Sequence, residues 1–254
     1  MPKIEIKSPS EIKLAAESGQ ILSRILNQVL KKIKPGLSTL QINDWIDEAI
    51  IKAGAKPSFK MVPGYRWASC VGLNDEVVHS IPKANKKIEK NDLLKIDAGV
   101  FWQGFHSDAS WTIKVGAGKT NDPFLQAGKE ALKRAIKACR PGNRVADISL
   151  TIEQTIKQAG FNPVKVLTGH GIGRHLHEEP MIPGIFLGSR EKTPQLLTGM
   201  ILAVEIIYNQ GKPDVVVEND GWTISTKDGK ISGLFEETVA VCEDGPLTLT
   251  EVRE

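Results

Sequence analysis

Four carboxylates stand alone inside runs that otherwise read as buried strand: Asp97 in LLKIDAGVFW, Asp108 in GFHSDASWTI, Glu205 in ILAVEIIY and Glu236 in GLFEETVAV. A fifth polar group, His170, sits in the glycine-rich segment TGHGIGRHLHEEP. Burying one unpaired carboxylate costs several kcal/mol, a large share of a domain's whole stability, so four of them demand a compensating positive charge. Two divalent cations would supply it. Four carboxylates and one imidazole suit Mn, Fe, Co or Zn, whereas a structural zinc site would be rich in thiolates. A carboxylate-bridged metal pair does hydrolytic chemistry, because it makes hydroxide available at neutral pH and stabilises a tetrahedral intermediate.

Each acid also has a plain reading as a solvated surface group, but the run from Ile201 to Tyr208 has Glu205 as its only charge and lacks the alternation of a half-exposed strand. His170, His175 and His177 fall within eight residues, ahead of Glu178 and Glu179. Gly169, Gly171 and Gly173 would let the backbone approach a ligand or take torsions closed to other residues. His79, in NDEVVHSIP, follows an apolar pair and taken alone reads as a hydrogen-bonded core histidine. The VGAGKT segment, residues 115–120, fails as a phosphate loop, since Ile113 occupies the position of the first required glycine; it reads as a hairpin exit. The lysine-rich stretch PKANKKIEKND, from Pro82 to Asp92, reads as a solvated loop.

The elements that must carry these residues are legible in outline. Ser8-Pro9-Ser10-Glu11 opens a helix with a cap, a first-turn proline and a third-position glutamate; apolar residues then recur at helical spacing to Ile33, before Lys34-Pro35-Gly36. Ser38 and Gln41 cap a second helix that ends at Gly54. The pattern returns from Asp122-Pro123, with Pro35 and Pro141, Gly54 and Gly160, and Pro57 and Pro163 each 106 residues apart. Matched helix stops and matched apolar faces imply an internal duplication, with halves of about residues 8–116 and 120–250 forming one catalytic domain over 1–254. Asp97 and Asp108 flank a turn near Trp102, Gln103 and Gly104. A turn centred on Trp102-Gln103 pairs them directly, and one centred on Gln103-Gly104 makes them diagonal neighbours; both spacings, about 5 and about 7 Å, suit a shared metal.

Composition bounds the rest. A hydrophobic share of 41% and a charged share of 25% are those of an ordinary globular chain, and a net charge of +3 is too small to imply nucleic-acid binding. Cys70, Cys139 and Cys242 are odd in number and far apart, which argues against a disulfide framework and fits a reducing compartment. The charged N-terminus and the lack of any long apolar window predict a cytoplasmic protein with no membrane span, and a monomer is the default.

With these residues in hand, the sequence resembles the type I methionine aminopeptidases over nearly its whole length. The resemblance is carried, in order, by NDEVVHSIP, DLLKIDAG, GFHSDAS, GHGIGRHLHEEP, the Glu205 strand, DGWT and FEET. It implies the pita-bread fold, an α+β architecture of two pseudo-symmetric helix-helix-strand halves around a central antiparallel sheet. It further implies that Asp97, Asp108, His170, Glu205 and Glu236 hold two divalent metals, Asp108 and Glu236 bridging. His79 and His177 would contact substrate, His177 at the developing oxyanion and His79 at the scissile nitrogen, with Glu205 as proton shuttle. A methionine pocket would be lined by Tyr65, Cys70, Leu176 and Trp222, with Phe59 and Val62 nearby. The partners implied are N-termini of nascent polypeptides with a small second residue, and the family admits ribosome association. Leu176 replaces an aromatic ring, Val62 a tyrosine and Ile206 a proline in the family's pattern, and the Pro180–Gly199 loop is slightly longer, so the pocket is expected to be reshaped. Two rivals share the fold: an Xaa-Pro aminopeptidase or prolidase, whose usual additional N-terminal domain has no room before Ser8, and a binding module that has lost catalysis, which would lack the metal ligands.

Overall fold

The computed structural model describes residues 4–116 and 122–253. Among the described residues four α-helices form, three of them where the capping signals stand. Helix α1, Pro9–Leu30, is held at its start by Ser8 and Glu11, each side chain bonding the other's backbone amide. It ends at Leu30, short of the Pro35 stop, with Ile33 packing on the core from the following turn. Helix α2, Thr39–Lys52, begins with the matching Ser38–Gln41 box and ends before Gly54, whose φ of 77° is the left-handed conformation that a helix stop of this kind needs. Helices α3, Pro123–Ala138, and α4, Val145–Gln158, repeat the pair. Gly36 and Gly142 have φ of 92° and 90°, and Gly54 and Gly160 have 77° and 86°. Ile42, Ile46 and Ile50 are fully buried, as are Ile148, Ile152 and Ile156.

In chain order the strands are β1 Lys56–Pro57, β2 Ser69–Leu73, β3 Glu76–Val78, β4 Leu93–Trp102, β5 Phe105–Lys114, β6 Asn162–Pro163, β7 Thr168–Gly171, β8 Glu178–Pro183, β9 Ile201–Asn209, β10 Val215–Val217, β11 Ile224–Thr226, β12 Ser232–Cys242 and β13 Gly245–Thr248. An antiparallel sheet of ten strands runs β1-β4-β5-β12-β9-β7-β8, with β2 on β4, β6 on β9 and β13 on β12. A smaller sheet, β10-β11-β3, joins segments of both halves. The β4–β5 turn is Gln103-Gly104, both residues at positive φ, 46° and 90°, as a two-residue hairpin of matching twist requires. Asp97 therefore faces Ser110 and Asp108 faces Gly99: the two acids are diagonal neighbours.

Helices cover one face of this sheet. Leu94, Ile96, Ala98 and Val100 of β4 pack in a core with α1 and α2; Leu202, Val204, Ile206 and Tyr208 of β9 and Phe235 and Val239 of β12 pack with α3 and α4. Side chains alternate along a strand, so the intervening residues of β4, β5, β9 and β12 point to the opposite face. Ile206 belongs to the helix side, fully buried. The expectation that it reshapes the pocket is thus corrected: the residue after Glu205 faces away from it.

The seam between halves, β5 against β12, carries a single directly paired couple, Ser110 and Glu236. On either side threonine hydroxyls replace the backbone ladder. Thr238 Oγ1 donates to the Asp108 carbonyl at 2.7 Å and accepts from the Asp108 amide at 2.9 Å, while Thr112 Oγ1 does the same with Leu234, at 2.7 and 2.9 Å. The Ala117–Thr120 part of the hairpin exit lies outside the described residues. The Pro82–Asp92 loop is less solvated than expected: Ile88 is buried, and Lys86 and Lys83 pair with Glu76 and Asp220.

Candidate metal centre and active site

Register alone assembles the acids. Directly opposed residues share a face, so the pairs Cys70 with Asp97, Asp97 with Ser110, Ser110 with Glu236 and Glu236 with Glu205 form one row across β2, β4, β5, β12 and β9. Two residues along, Gly99 faces Asp108, Asp108 bonds Thr238, Thr238 faces Ala203 and Ala203 faces His170. Small residues stand between ligating ones in both rows, except where Glu236 faces Glu205 directly. Gly99 cannot be larger, since a β-carbon there would stand 2.8 Å from Ser58 Cβ and 3.1 Å from the Phe59 ring.

Glu205 and Glu236 are direct cross-strand partners, an arrangement of like charges that is unfavourable unless a cation lies between them. Asp97, Asp108 and Glu236 are buried, at 7%, 4% and 1% exposure, and each has a buried oxygen with no hydrogen-bond partner. Without a cation, burial pushes the Asp97 carboxyl up to about 7. Burial and then the neighbouring carboxylates raise Asp108, Glu205 and Glu236 far above the usual range. One ligand atom from each of Asp108, His170 and Glu236 lies within 4.8 Å of the others. His170 Nδ1 stands 2.8 Å from the Gly171 carbonyl; a carbonyl only accepts, so Nδ1 carries the proton and Nε2 is left as a free lone pair. Burial lowers the His170 pKa to about 4, which keeps the ring neutral as a ligand must be. The donors fit divalent cations.

All thirteen candidate residues line one cavity of about 310 Å³: the five possible ligands, His79 and His177, and Phe59, Val62, Tyr65, Cys70, Leu176 and Trp222. Part of its lining is buried and apolar. Phe59, Tyr65, Cys70 and Leu176 are buried there, and Tyr65 meets Trp222 edge-on at 5.1 Å and donates to the Ser69 carbonyl at 3.1 Å. His79 and His177 are exposed at the mouth. The core reading of His79 is corrected: its φ of 55° is a strained conformation for a residue with a β-carbon, of the kind concentrated at functional sites. Although each residue reaches solvent, its ring is desolvated where it lines the cavity, and this, followed for His79 by the charge of His177, lowers both pKa values, which favours the neutral imidazole at pH 7. The His177 ring packs against His170 at 4.5 Å.

The glycines of the histidine segment have a different purpose from the one expected. None of Gly169, Gly171 and Gly173 has positive φ; a β-carbon on them would strike Ala203 of β9, Glu179 of β8 and the Lys7 side chain, respectively. They admit neighbouring protein rather than ligand. The lining also includes Val166, Leu167, Thr168 and Met181, which sequence reasoning missed; Val166 and Met181 are exposed. Loop valines and leucines carry no chemical signature, whereas Thr168 opens the histidine motif and Met181 directly follows it.

The sequence profile of metallopeptidase family M24 matches residues 13–243. Methionine aminopeptidase of Aquifex aeolicus is 37% identical over 98% of this chain and 99% of its own length. The chain belongs to the methionine aminopeptidases of family M24. The crystal structure of Thermotoga maritima methionine aminopeptidase superposes with a TM-score of 0.93 at 37% identity, covering 98% of this chain and all of that one. Prolidase from Pyrococcus furiosus shares the fold, with a TM-score of 0.78 at 22% identity, and this chain spans 66% of its length. The central antiparallel sheet with its two helix pairs is thus the pita-bread arrangement. Among the described residues no helix is long and apolar enough to cross a membrane.

Proposed function

We propose that this chain removes the N-terminal methionine from polypeptides whose second residue is small, and that residues 1–254 form one catalytic domain built of the halves 8–116 and 120–250. The observation that carries this reading is the cavity itself, in which buried apolar side chains and a carboxylate–imidazole cluster share one lining. Such a pairing suits an apolar first side chain held beside the scissile bond. Asp108, His170, Glu205 and Glu236 would hold one divalent cation, and Asp97, with Asp108 and Glu236 shared, a second. When bound, such cations supply Lewis acidity and a water acidic enough to deprotonate at neutral pH.

The chain's own residues supply the rest. Phe59, Val62, Tyr65, Cys70, Leu176 and Trp222 take up the first side chain and exclude water. Glu205, the one acid of the four with partial exposure, accepts the proton of the attacking water at its carboxylate and returns it to the departing amine. His177, neutral at pH 7, donates to the developing oxyanion, and His79 holds the scissile peptide nitrogen. Nascent polypeptides are the substrates, the compartment is the cytoplasm, where the three free cysteines stay reduced, and the protein works as a monomer that can associate with the ribosome.

The test is free methionine from a Met-Ala-Ser peptide under Mn, Fe, Co or Zn, beside an Ala-Pro-Ser peptide. Release from the first alone, lost with chelator and with Asp97→Asn, is expected. Cleavage of Ala-Pro-Ser alone would move the reading to the Xaa-Pro peptidases, and inactivity on both would end it.

A further inference from the structure

The turn that carries Leu176 and His177 is tied to the segment before α1 by a buried ion pair. Lys7 and Glu178 are 5% and 9% exposed, and Lys7 Nζ donates to Glu178 Oε2. The other oxygen, Oε1, accepts from the His175 amide at 3.0 Å. Glu178 therefore closes the turn from Gly173 to Glu178 from inside, and Lys7 neutralises it. The turn is fastened on its remaining sides: the His106 amide donates to the Gly173 carbonyl at 2.7 Å, and Gly173 donates to the His175 carbonyl at 3.1 Å. Lys7 is itself anchored, its amide donating to the Gly199 carbonyl at 2.8 Å. Gly173 leaves the space in which the ammonium lies; a β-carbon there would stand 2.8 Å from Lys7 Nζ and 3.0 Å from Glu178 Oε1. A second, exposed tie joins the same two segments, from Arg174 Nη2 to Glu11 Oε1 at 2.6 Å.

A buried carboxylate stripped of its cation is strongly destabilising and relaxes by moving toward water. Glu178 directly follows His177, so any such movement displaces the imidazole at the cavity mouth and the Leu176 wall beside it. We propose that Lys7 is a positioning residue, which through Glu178 fixes the turn that presents Leu176 and His177 to the substrate. Lys7 does not line the cavity, and it acts only through the carboxylate it neutralises. The inference rests on the function proposed above for His177.

The experiment compares Lys7→Met, Lys7→Arg, Glu178→Gln and the double variant Lys7→Met/Glu178→Gln with the wild type in methionine release from Met-Ala-Ser, with metal content measured on each. Displacing a catalytic contact by about 1 Å costs on the order of 100-fold. For Lys7→Met, kcat should fall about 10- to 100-fold at wild-type metal content, and Lys7→Arg should recover most of it. The double variant should lose no more than the worse single variant, because the two residues act as one unit. If Lys7→Met does not fold, Glu178→Gln, which keeps an acceptor for the His175 amide but breaks the ion pair, gives the comparison. A folded Lys7→Met or Glu178→Gln variant with wild-type kcat and KM, whatever its thermal midpoint, would overturn the proposal, as would a loss fully explained by missing metal. A wild type that releases no methionine would overturn the proposed function, and this inference with it.

Discussion

Glu236 and Glu237 are neighbours on β12, both buried, and their side chains leave the sheet on opposite faces. Glu237 points to the helix side, where its Oε1 accepts from the Val252 amide at 2.9 Å; burial pushes its carboxyl up to about 8, so it keeps its proton at neutral pH. Glu236 points to the cavity, faces Glu205 directly and has an oxygen that no protein group bonds. One face of the sheet accommodates an acid by keeping it neutral and bonded to the C-terminal segment. The other gathers acids that only a cation reconciles. Burial and one carboxylate oxygen without a hydrogen-bond partner are common to both residues, and what separates scaffold from chemistry is that Glu237 keeps its proton and bonds the C-terminal segment while Glu236 faces other acids.

The sharpest test of this contrast is a pair of isosteric changes. Glu236→Gln should lower methionine release at least about 100-fold, more than a change in an outer-shell partner of a metal ligand costs. In chelated protein the same change should raise the thermal midpoint, because a repulsion with Glu205 and Asp108 is removed. Glu237→Gln should leave methionine release unchanged; because the native carboxyl keeps a proton that an unfolded glutamate releases, the change should raise the thermal midpoint near pH 7 with or without metal. Equal effects of the two substitutions would erase the distinction between faces.

Metal removal should steepen the pH dependence of stability. With the folded-state pKa of Asp97 raised from 3.8 to about 7 by burial, the native state holds the extra proton, so stability is fully present below about 4 and declines as pH rises to about 7. Asp108, Glu205 and Glu236, also raised, steepen the decline. Thermal midpoints measured across this window should fall more steeply with pH in chelator than with metal, where Glu237 alone of these acids still contributes a decline; parallel curves would refute the account. On the helix side, Ile206→Ala should cost about 2–5 kcal/mol of stability while leaving turnover unchanged where the protein is folded. The smallest effect belongs to the rim. Partial burial pushes Asp220 upward, but the amides of Thr223 and Trp222, the Thr223 hydroxyl and Lys83 outweigh it and hold the carboxyl down at about 2. That support for the Trp222 rim is present above about 4 and lost as pH falls through about 2. Asp220→Asn should raise KM a few-fold at most, in line with the 0.2–1 kcal/mol of an exposed pair.

Much of this was legible in the sequence because the signals were local or conspicuously wrong for their surroundings. Capping boxes at Ser8 and Ser38 and left-handed glycines at 36, 54, 142 and 160 act over a few residues. A lone acid in an apolar strand betrays itself by its energetic cost. What escaped depends on partners distant in sequence. The register of β4 and β5 hinges on one residue of turn position, and both choices were physically sound until Gln103-Gly104 formed the corner. Which side Ile206 takes follows from the phase of β9 against β12 and α3, and Lys7 looks like any charge ahead of a helix cap until Glu178, 171 residues later, closes over it.

The threonine seam between β5 and β12 has one more consequence. An unbroken backbone ladder would draw the two hairpins together to ordinary strand spacing along their whole length. By inserting a hydroxyl on each side of Ser110 and Glu236, Thr238 and Thr112 act as spacers that prop the join open while satisfying every amide and carbonyl they interrupt. The centre of the molecule is thereby a gap held at fixed width, and removing those hydroxyls by Thr→Val would leave a crevice that either collapses or tears, with the acids on its two banks no longer at a common distance.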